Sequence, residues 1–140
     1  MRTTTIDVTT GSTERVLDLT GQAQAFCDEV GARDGLLHVF VPHATAGVAL
    51  VETGSGTEED LLAALGALLP VDGPAGLGWT HRHGSPGHGR DHVLPGVIAP
   101  FAVLPVVDGR LALGTWQSIC LVDTNRDNAR RQVRLSFLGG

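Results

Sequence analysis

The stretch Leu36-Leu37-His38-Val39-Phe40-Val41, then Pro42-His43-Ala44-Thr45, then Gly47-Val48-Ala49-Leu50-Val51-Glu52 decides the fold. A continuous apolar run of strand length, bounded by turn residues, reads as a central strand, and the second run reads as the next one after a sharp connection. Upstream, Thr3–Thr10 alternates as a half-buried strand, Gly11-Ser12 turns the chain, and Glu14–Leu19 predicts a second strand. Thr20 can cap a helix over Gln22–Val30, with Ala23, Phe26 and Val30 at helical spacing and Gly31 beyond its end. Downstream, Thr53-Gly54-Ser55-Gly56 breaks the sheet. Thr57 then caps a second helix, with Asp60 three residues on and Leu61, Leu62, Leu65, Leu68 and Leu69 as its apolar stripe.

From Pro70 to Pro95 the glycine- and proline-rich chain reads as a loop, longer than compact domains usually carry without a functional reason. Strands follow at Ile98–Val106, at Arg110–Leu113 leading into Trp116–Val122, and at Gln132–Leu138, with a turn at Asp108-Gly109. About seven strands and two helices with little βαβ alternation predict an α+β fold, mostly β, as one compact domain over residues 1–140.

Composition narrows the function. The longest apolar runs are strand-sized, so no helical membrane span is predicted. Met1-Arg2-Thr3-Thr4-Thr5 offers no apolar signal core, which places the chain in the cytoplasm as an expectation. All ten basic residues are arginine, so lysine Schiff bases, a phosphate-loop lysine and a lysine general base are excluded. A net charge of −5 without a basic run argues against nucleic acid as a partner. Arg130, Arg131 and Arg134 are the only local basic cluster and read as a solvated strand edge. Cys27 and Cys120, far apart among apolar residues, read as buried free thiols.

Chemistry gathers in the long loop. His81, His83, His88 and His92 fall within twelve residues, and His43 stands where an apolar strand ends. Imidazoles in this number can hold a transition metal, act as acid–base or anion-binding groups, or decorate an exposed polar loop; spacing leaves all three open. Glu52 ends a strand and Asp60 opens a helix, where a carboxylate also complements the helix dipole. Gly54-x-Gly56 before a helix is a weak phosphate-turn signal without a lysine. Leu113-Gly114-Thr115-Trp116-Gln117 reads either as a functional turn or as a β-bulge with Trp116 filling the core.

Together these segments resemble the YjbQ family, also called the secondary thiamine-phosphate synthase enzyme family. The resemblance runs over essentially the whole chain. It is carried by His43-Ala44-Thr45-Ala46, Glu52, Asp60-Leu61, Trp79-Thr80-His81, His92, Pro105, Gly109-Arg110-Leu111, Leu113 to Ile119 with Gly-Thr-Trp-Gln at its centre, Asp123 and Arg131. It implies a mostly β fold, a homotrimer, and a pocket in which His43, His81 and His92 bind a divalent metal. It also implies a weak thiamine-phosphate synthase reaction, joining hydroxymethylpyrimidine pyrophosphate to thiazole phosphate with loss of pyrophosphate. The alternative is a non-catalytic protein that binds a metal or a phosphorylated ligand.

Three departures bear on that expectation. Val51 stands where the family has an asparagine, Gly87 and His88 stand where it has paired aspartates, and Pro95 interrupts a short helix after His92. Losing carboxylates weakens a magnesium site, and an added imidazole shifts preference toward zinc. On this reading Glu52 and Asp60 orient the histidines or serve as acid–base groups. Thr45, Thr115 and Gln117 offer hydrogen bonds to a phosphate, and Arg131 is its charge partner.

Overall fold

The apolar run around Val39 does become the middle of a sheet in the computed structural model, which describes residues 1–140. Eight strands form: β1 Arg2–Thr9, β2 Arg15–Asp18, β3 Gly35–Phe40, β4 Ala46–Val51, β5 Phe101–Val107, β6 Arg110–Leu111, β7 Ser118–Asp123 and β8 Arg130–Gly139. Three α-helices accompany them: α1 Thr20–Glu29, α2 Thr57–Leu68 and α3 Gly89–Val93. One sheet has the order β1-β8-β3-β5-β6 and the other β2-β7-β4. Every strand pair is antiparallel. The α+β class and the dominance of strands are as the sequence predicts.

Alternation on the larger sheet explains the core. Leu37 and Val39 of β3, Leu104 and Val106 of β5, and Val133, Leu135 and Phe137 of β8 point inward, where Phe26 and Cys27 of α1 and Ile119 and Leu121 of β7 meet them. Burying such a set supplies most of the driving force for folding, at about 25 cal/mol per Å² of apolar surface. Leu65, Leu69, Leu94 and Val122 make a second, smaller cluster beneath the long loop, with Trp79 packed against it. Both cysteines are buried and free. Burial pushes the Cys120 thiol up to about 12, helped by nearby Asp18 and Glu58. No helix is long and apolar enough to cross a membrane.

Several boundaries differ from the sequence reading, each for a local reason. Thr20 is the first residue of α1 and not its cap. The Asp18 carboxylate accepts the Thr20 N–H at 2.8 Å, while the Thr20 hydroxyl accepts the Ile119 N–H at 2.8 Å and ties α1 to β7. Thr57 likewise lies inside α2, with Gly56 at the cap in the left-handed region at φ 89°. One strand becomes two because Gly114–Gln117 is a turn closed at both ends. The Gln117 N–H donates to Gly114 O at 3.0 Å, and Gln117 Oε1 accepts the Gly114 N–H at 2.8 Å. Trp116 fills no core; it is 73% exposed at the tip of that turn. The segment read as loop from Pro70 to Pro95 contains α3, and Pro95 sits in the 3-10 turn Leu94–Gly96 that ends it.

Candidate metal and phosphate site

The site begins with the phase of β8. Residues 131, 133, 135 and 137 share the inward face, so Arg131 is buried in line with Val133 while Arg130 and Arg134 are exposed. The solvated-edge reading therefore fails for Arg131, which is 3% exposed. A buried guanidinium requires a partner, and Asp123 at the end of β7 supplies one. Arg131 Nε donates to Asp123 Oδ2 at 2.6 Å and Nη2 to Oδ1 at 3.0 Å, a bidentate pair.

Thr45 completes this corner. Its hydroxyl oxygen accepts from Arg131 Nη2 at 3.0 Å and from Asn125 Nδ2 at 3.1 Å. With both lone pairs engaged, the Thr45 O–H proton and Arg131 Nη1 are the donors the corner has left to offer. Asn125, fully buried, shapes the β7–β8 connection. Its N–H donates to Asp123 Oδ1 at 2.9 Å, and its Oδ1 accepts the Asp127 N–H at 2.6 Å, two successive side-chain-to-backbone turns.

The histidine loop folds over this corner. Trp79 anchors it, donating its indole N–H to Pro70 O at 2.9 Å. α3 starts directly against that anchor: a Cβ on Gly89 would lie 2.4 Å from Trp79 Cβ and 2.8 Å from His81 O. Only glycine permits that approach. His88 precedes α3 and His92 lies inside it, one turn apart, and their Nε2 atoms are 2.9 Å from one another. His81 packs 4.1 Å, ring to ring, from both His83 and His92. One ligating nitrogen from each of His81, His83, His88 and His92 lies within 4.8 Å of all the others.

An all-imidazole set of four suits zinc, which takes tetrahedral nitrogen ligands at about 2.0–2.1 Å, and offers magnesium none of the oxygens it prefers. The environment keeps the imidazoles ready to ligate. His81 and His92 are both held below the ordinary histidine range, by loss of hydration first and then by repulsion from the neighbouring imidazoles. His88 is buried, and its Nδ1 stands 3.1 Å from Asp127 Oδ2 and 3.4 Å from Asp91 Oδ2 without being aimed squarely at either. A carboxylate beside the far nitrogen of an imidazole fixes its tautomer and strengthens it as a ligand. Asp127 also accepts the Ser85 N–H at 3.0 Å, the bond that does most to hold its carboxyl below the usual range. Burial pushes Asp91 upward, against a bond from the Thr124 hydroxyl at 2.7 Å and the nearby Arg90.

Between loop and corner lies a cleft of about 240 Å³, lined by His43, Thr45, His83, His88, His92, Asn125, Asn128 and Arg131. The structure thus brings Thr45, Arg131, His43 and His92 of the sequence-predicted residues to one place. It does not bring His43 into the ligand group. His43 Nε2 accepts the Gln132 N–H at 2.9 Å, so the ring carries its proton on Nδ1 and presents a donor. Burial and the Arg131 charge lower its affinity for a second proton, with Asp123 opposing.

Glu52, Asp60, Thr115 and Gln117 line neither the cleft nor the cavities beside the loop. Glu52 is exposed at the end of β4, where the Ser55 hydroxyl reaches it at 3.4 Å, and Asp60 is exposed in the first turn of α2. Carboxylates do flank a site histidine, but they are Asp91 and Asp127. Asn125 and Asn128 are further cleft residues to which the sequence reading gave no role, whereas His83 was read only as part of the histidine-rich stretch and His88 as an added imidazole favouring zinc. For His88 a signal existed, since His88 and His92 are spaced one helical turn apart, but the glycines around His88 and Pro95 concealed the helix.

The fold and cleft define a class: a small two-sheet α+β protein with histidines and a buried arginine facing one another across a cleft. The chain belongs to the YjbQ family, whose profile, described as UPF0047 protein YjbQ-like, matches residues 4–140. The UPF0047 protein Rv2556c of Mycobacterium tuberculosis is 54% identical over 140 residues, all of both chains. A UPF0047 protein of Archaeoglobus fulgidus is 32% identical, covering 84% of this chain and 87% of its own. Among solved structures, a hypothetical protein of Aeropyrum pernix K1 superposes with a TM-score of 0.89 at 36% identity over all of both chains. A YbjQ-like protein of unknown function from Sulfolobus solfataricus P2 gives 0.89 at 26% identity, covering 99% of this chain and 97% of that one.

Proposed function

We propose that this protein holds a divalent metal ion, zinc in preference to magnesium, through His81, His83, His88 and His92, and captures a phosphorylated small molecule beside it. The observation that carries this reading is the convergence of four imidazole nitrogens within 4.8 Å on an otherwise irregular loop. A bound cation there supplies positive charge that neutralises phosphate oxygens. The chain's own groups then orient the ligand. Thr45 O–H, Arg131 Nη1 and His43 Nδ1–H are donors without an acceptor in the chain, and phosphate oxygens are acceptors only. Asp123 fixes the guanidinium plane so that Arg131 meets the ligand already ordered.

The finer reading is a weak thiamine-phosphate synthase, coupling hydroxymethylpyrimidine pyrophosphate to thiazole phosphate, in a cytoplasmic homotrimer. In that reaction the same donors hold the departing pyrophosphate. The rival is capture without turnover, favoured by the engagement of every carboxylate beside the cleft: Asp91 by Thr124, Asp123 by Arg131, Asp127 by Ser85.

Metal analysis of protein purified without a histidine tag tests the first claim. About one zinc per chain is expected, lost in His81→Ala, His88→Ala and His92→Ala and retained in His43→Ala. No bound metal after exposure to zinc or manganese overturns it. Turnover with the two thiamine precursors then separates transfer from capture.

A further inference from the structure

Two buried arginines lie near the histidines, and they are satisfied to different degrees. Arg131 places both Nε and Nη2 on Asp123. Arg90, in α3 and 5% exposed, has no such pair. Its Nη2 lies 3.1 Å from Glu14 Oε1 but off the hydrogen-bond direction, and its Nε stands 3.7 Å from Asp91 Oδ1, beyond bonding length. A buried charged donor left unmet is costly, so an acceptor is called for.

A second orphan lies beside it. His88 Nδ1 makes no hydrogen bond either, and these two atoms are the only buried side-chain nitrogens or oxygens of which that is true. Both residues line one small cavity of about 40 Å³, with Glu14, Asp91, Thr124 and Arg126 among its other walls. The volume admits one water, whose share of the liquid is about 30 Å³. Charge decides between water and a halide ion. A halide would accept from Arg90 and His88 but sit against the Glu14 and Asp91 carboxylates, with Asp127 3.1 Å from His88 Nδ1. Water suits both kinds of wall, because it accepts two bonds and donates two. The Thr124 hydroxyl donates to Asp91 at 2.7 Å, so its oxygen keeps lone pairs to accept with, as does the Glu14 carboxylate.

We infer that this cavity holds one structural water, bonded to Arg90 Nη2 and His88 Nδ1–H, and that Glu14 and Arg90 position the His88 ring through it. Two carboxylates, at 3.1 and 3.4 Å, keep the His88 proton on Nδ1. Nε2 is then a free lone pair, 2.9 Å from His92 Nε2. An imidazole turns about two side-chain bonds, so a partner on its far nitrogen decides where the near one points. Glu14 fastens Arg90 from the β1–β2 connection, Arg90 fixes the water, and the water fixes the ring. The consequence for a metal rests on the four-histidine reading above and goes beyond it in naming two positioning residues outside the cluster.

A crystal structure of the metal-free protein tests the water directly. One ordered water within about 3.2 Å of both Arg90 Nη2 and His88 Nδ1 is expected. A dry cavity overturns the inference, and so does an anomalous peak there after a bromide soak. Two variants test the positioning. Glu14→Gln removes the charge that fastens Arg90, and Arg90→Lys keeps a charge but loses the planar fork. Each is expected to weaken zinc about tenfold in a chelator competition. Each should also let the His88 Nδ1 proton exchange with solvent about tenfold faster, followed by NMR of the ring nitrogens in metal-free protein. Glu14 is 18% exposed, so its variant carries the test where Arg90→Lys fails to fold. Lower melting temperatures with zinc affinity and proton exchange unchanged make Arg90 structural only and overturn its positioning role. If the wild type binds no zinc, the metal reading falls, while the water and the proton exchange still decide this one.

Discussion

The two walls of the cleft are built in opposite ways. The β7–β8 corner is buried and self-satisfied: Asp123 is 0% and Arg131 3% exposed, and Thr45 and Asn125 close the network between them. The histidine loop across from it is mostly exposed and rich in glycine, held by the Trp79 anchor, the Ser85–Asp127 bond and the contact between His88 and His92. The corner is finished by folding alone. The loop brings four like groups together, which repel once protonated, and on the proposed reading it is an ion that completes it.

The largest way to break this contrast is to remove the corner's counter-ion. Asp123→Ala strands a buried guanidinium and is expected to cost about 3–5 kcal/mol, read from urea unfolding of the metal-free protein. A destabilisation below about 1 kcal/mol would mean that the corner is no more fixed than the loop. Chelation tests the other wall. At free zinc near 100 times its dissociation constant, removing the metal is expected to lower stability by about 2.7 kcal/mol and to open residues 79–88 to proteolysis, leaving the corner protected from hydrogen exchange.

Asp127→Asn sharpens the comparison, since Asp127 belongs to the corner's connection but serves the loop. Zinc affinity should fall about 10–100-fold in a chelator competition, with global stability moving by under about 1 kcal/mol. The fourth effect is graded with pH. His81 and His92 are held below their ordinary value, so the unfolded chain takes up protons first as pH falls. Their contribution to stability is full above about pH 6.5 and is lost as pH drops through the depressed native values. Zinc retention should decline in the same direction, because only neutral imidazole ligates. Constant zinc affinity from pH 7.5 to pH 5 would exclude these histidines as ligands. The smallest change is Arg126→Ala. Its 60%-exposed side chain meets Glu14 at the rim, and the expected cost is about 0.2–1 kcal/mol in melting experiments.

How much of this was readable in the sequence follows the same division. Strand alternation exposed the sheet and most of the core, and the phase of β8 already aligns Arg131 with Val133, Leu135 and Phe137. Three arginines close together in the sequence masked that phase. The histidine cluster was visible as a density of residues but not as a geometry. Its assembly depends on α3, and glycine at 89 and proline at 95 both argue locally against a helix that tertiary packing nevertheless stabilises. Glu52 and Gln117 were expected beside the histidines because the family resemblance assigns them to one pocket. Strand length separates them, and length along a strand cannot be seen in motif order.

Gly89 carries a consequence for heredity. The position has no freedom to drift: the smallest possible replacement, alanine, pushes a methyl into Trp79 and the His81 carbonyl, wedging the first histidine pair away from the second. Every histidine would still be encoded, and a comparison of ligand residues alone would count the site as present. A descendant with alanine at 89 would therefore keep the letters of the proposed metal site and lose its assembly.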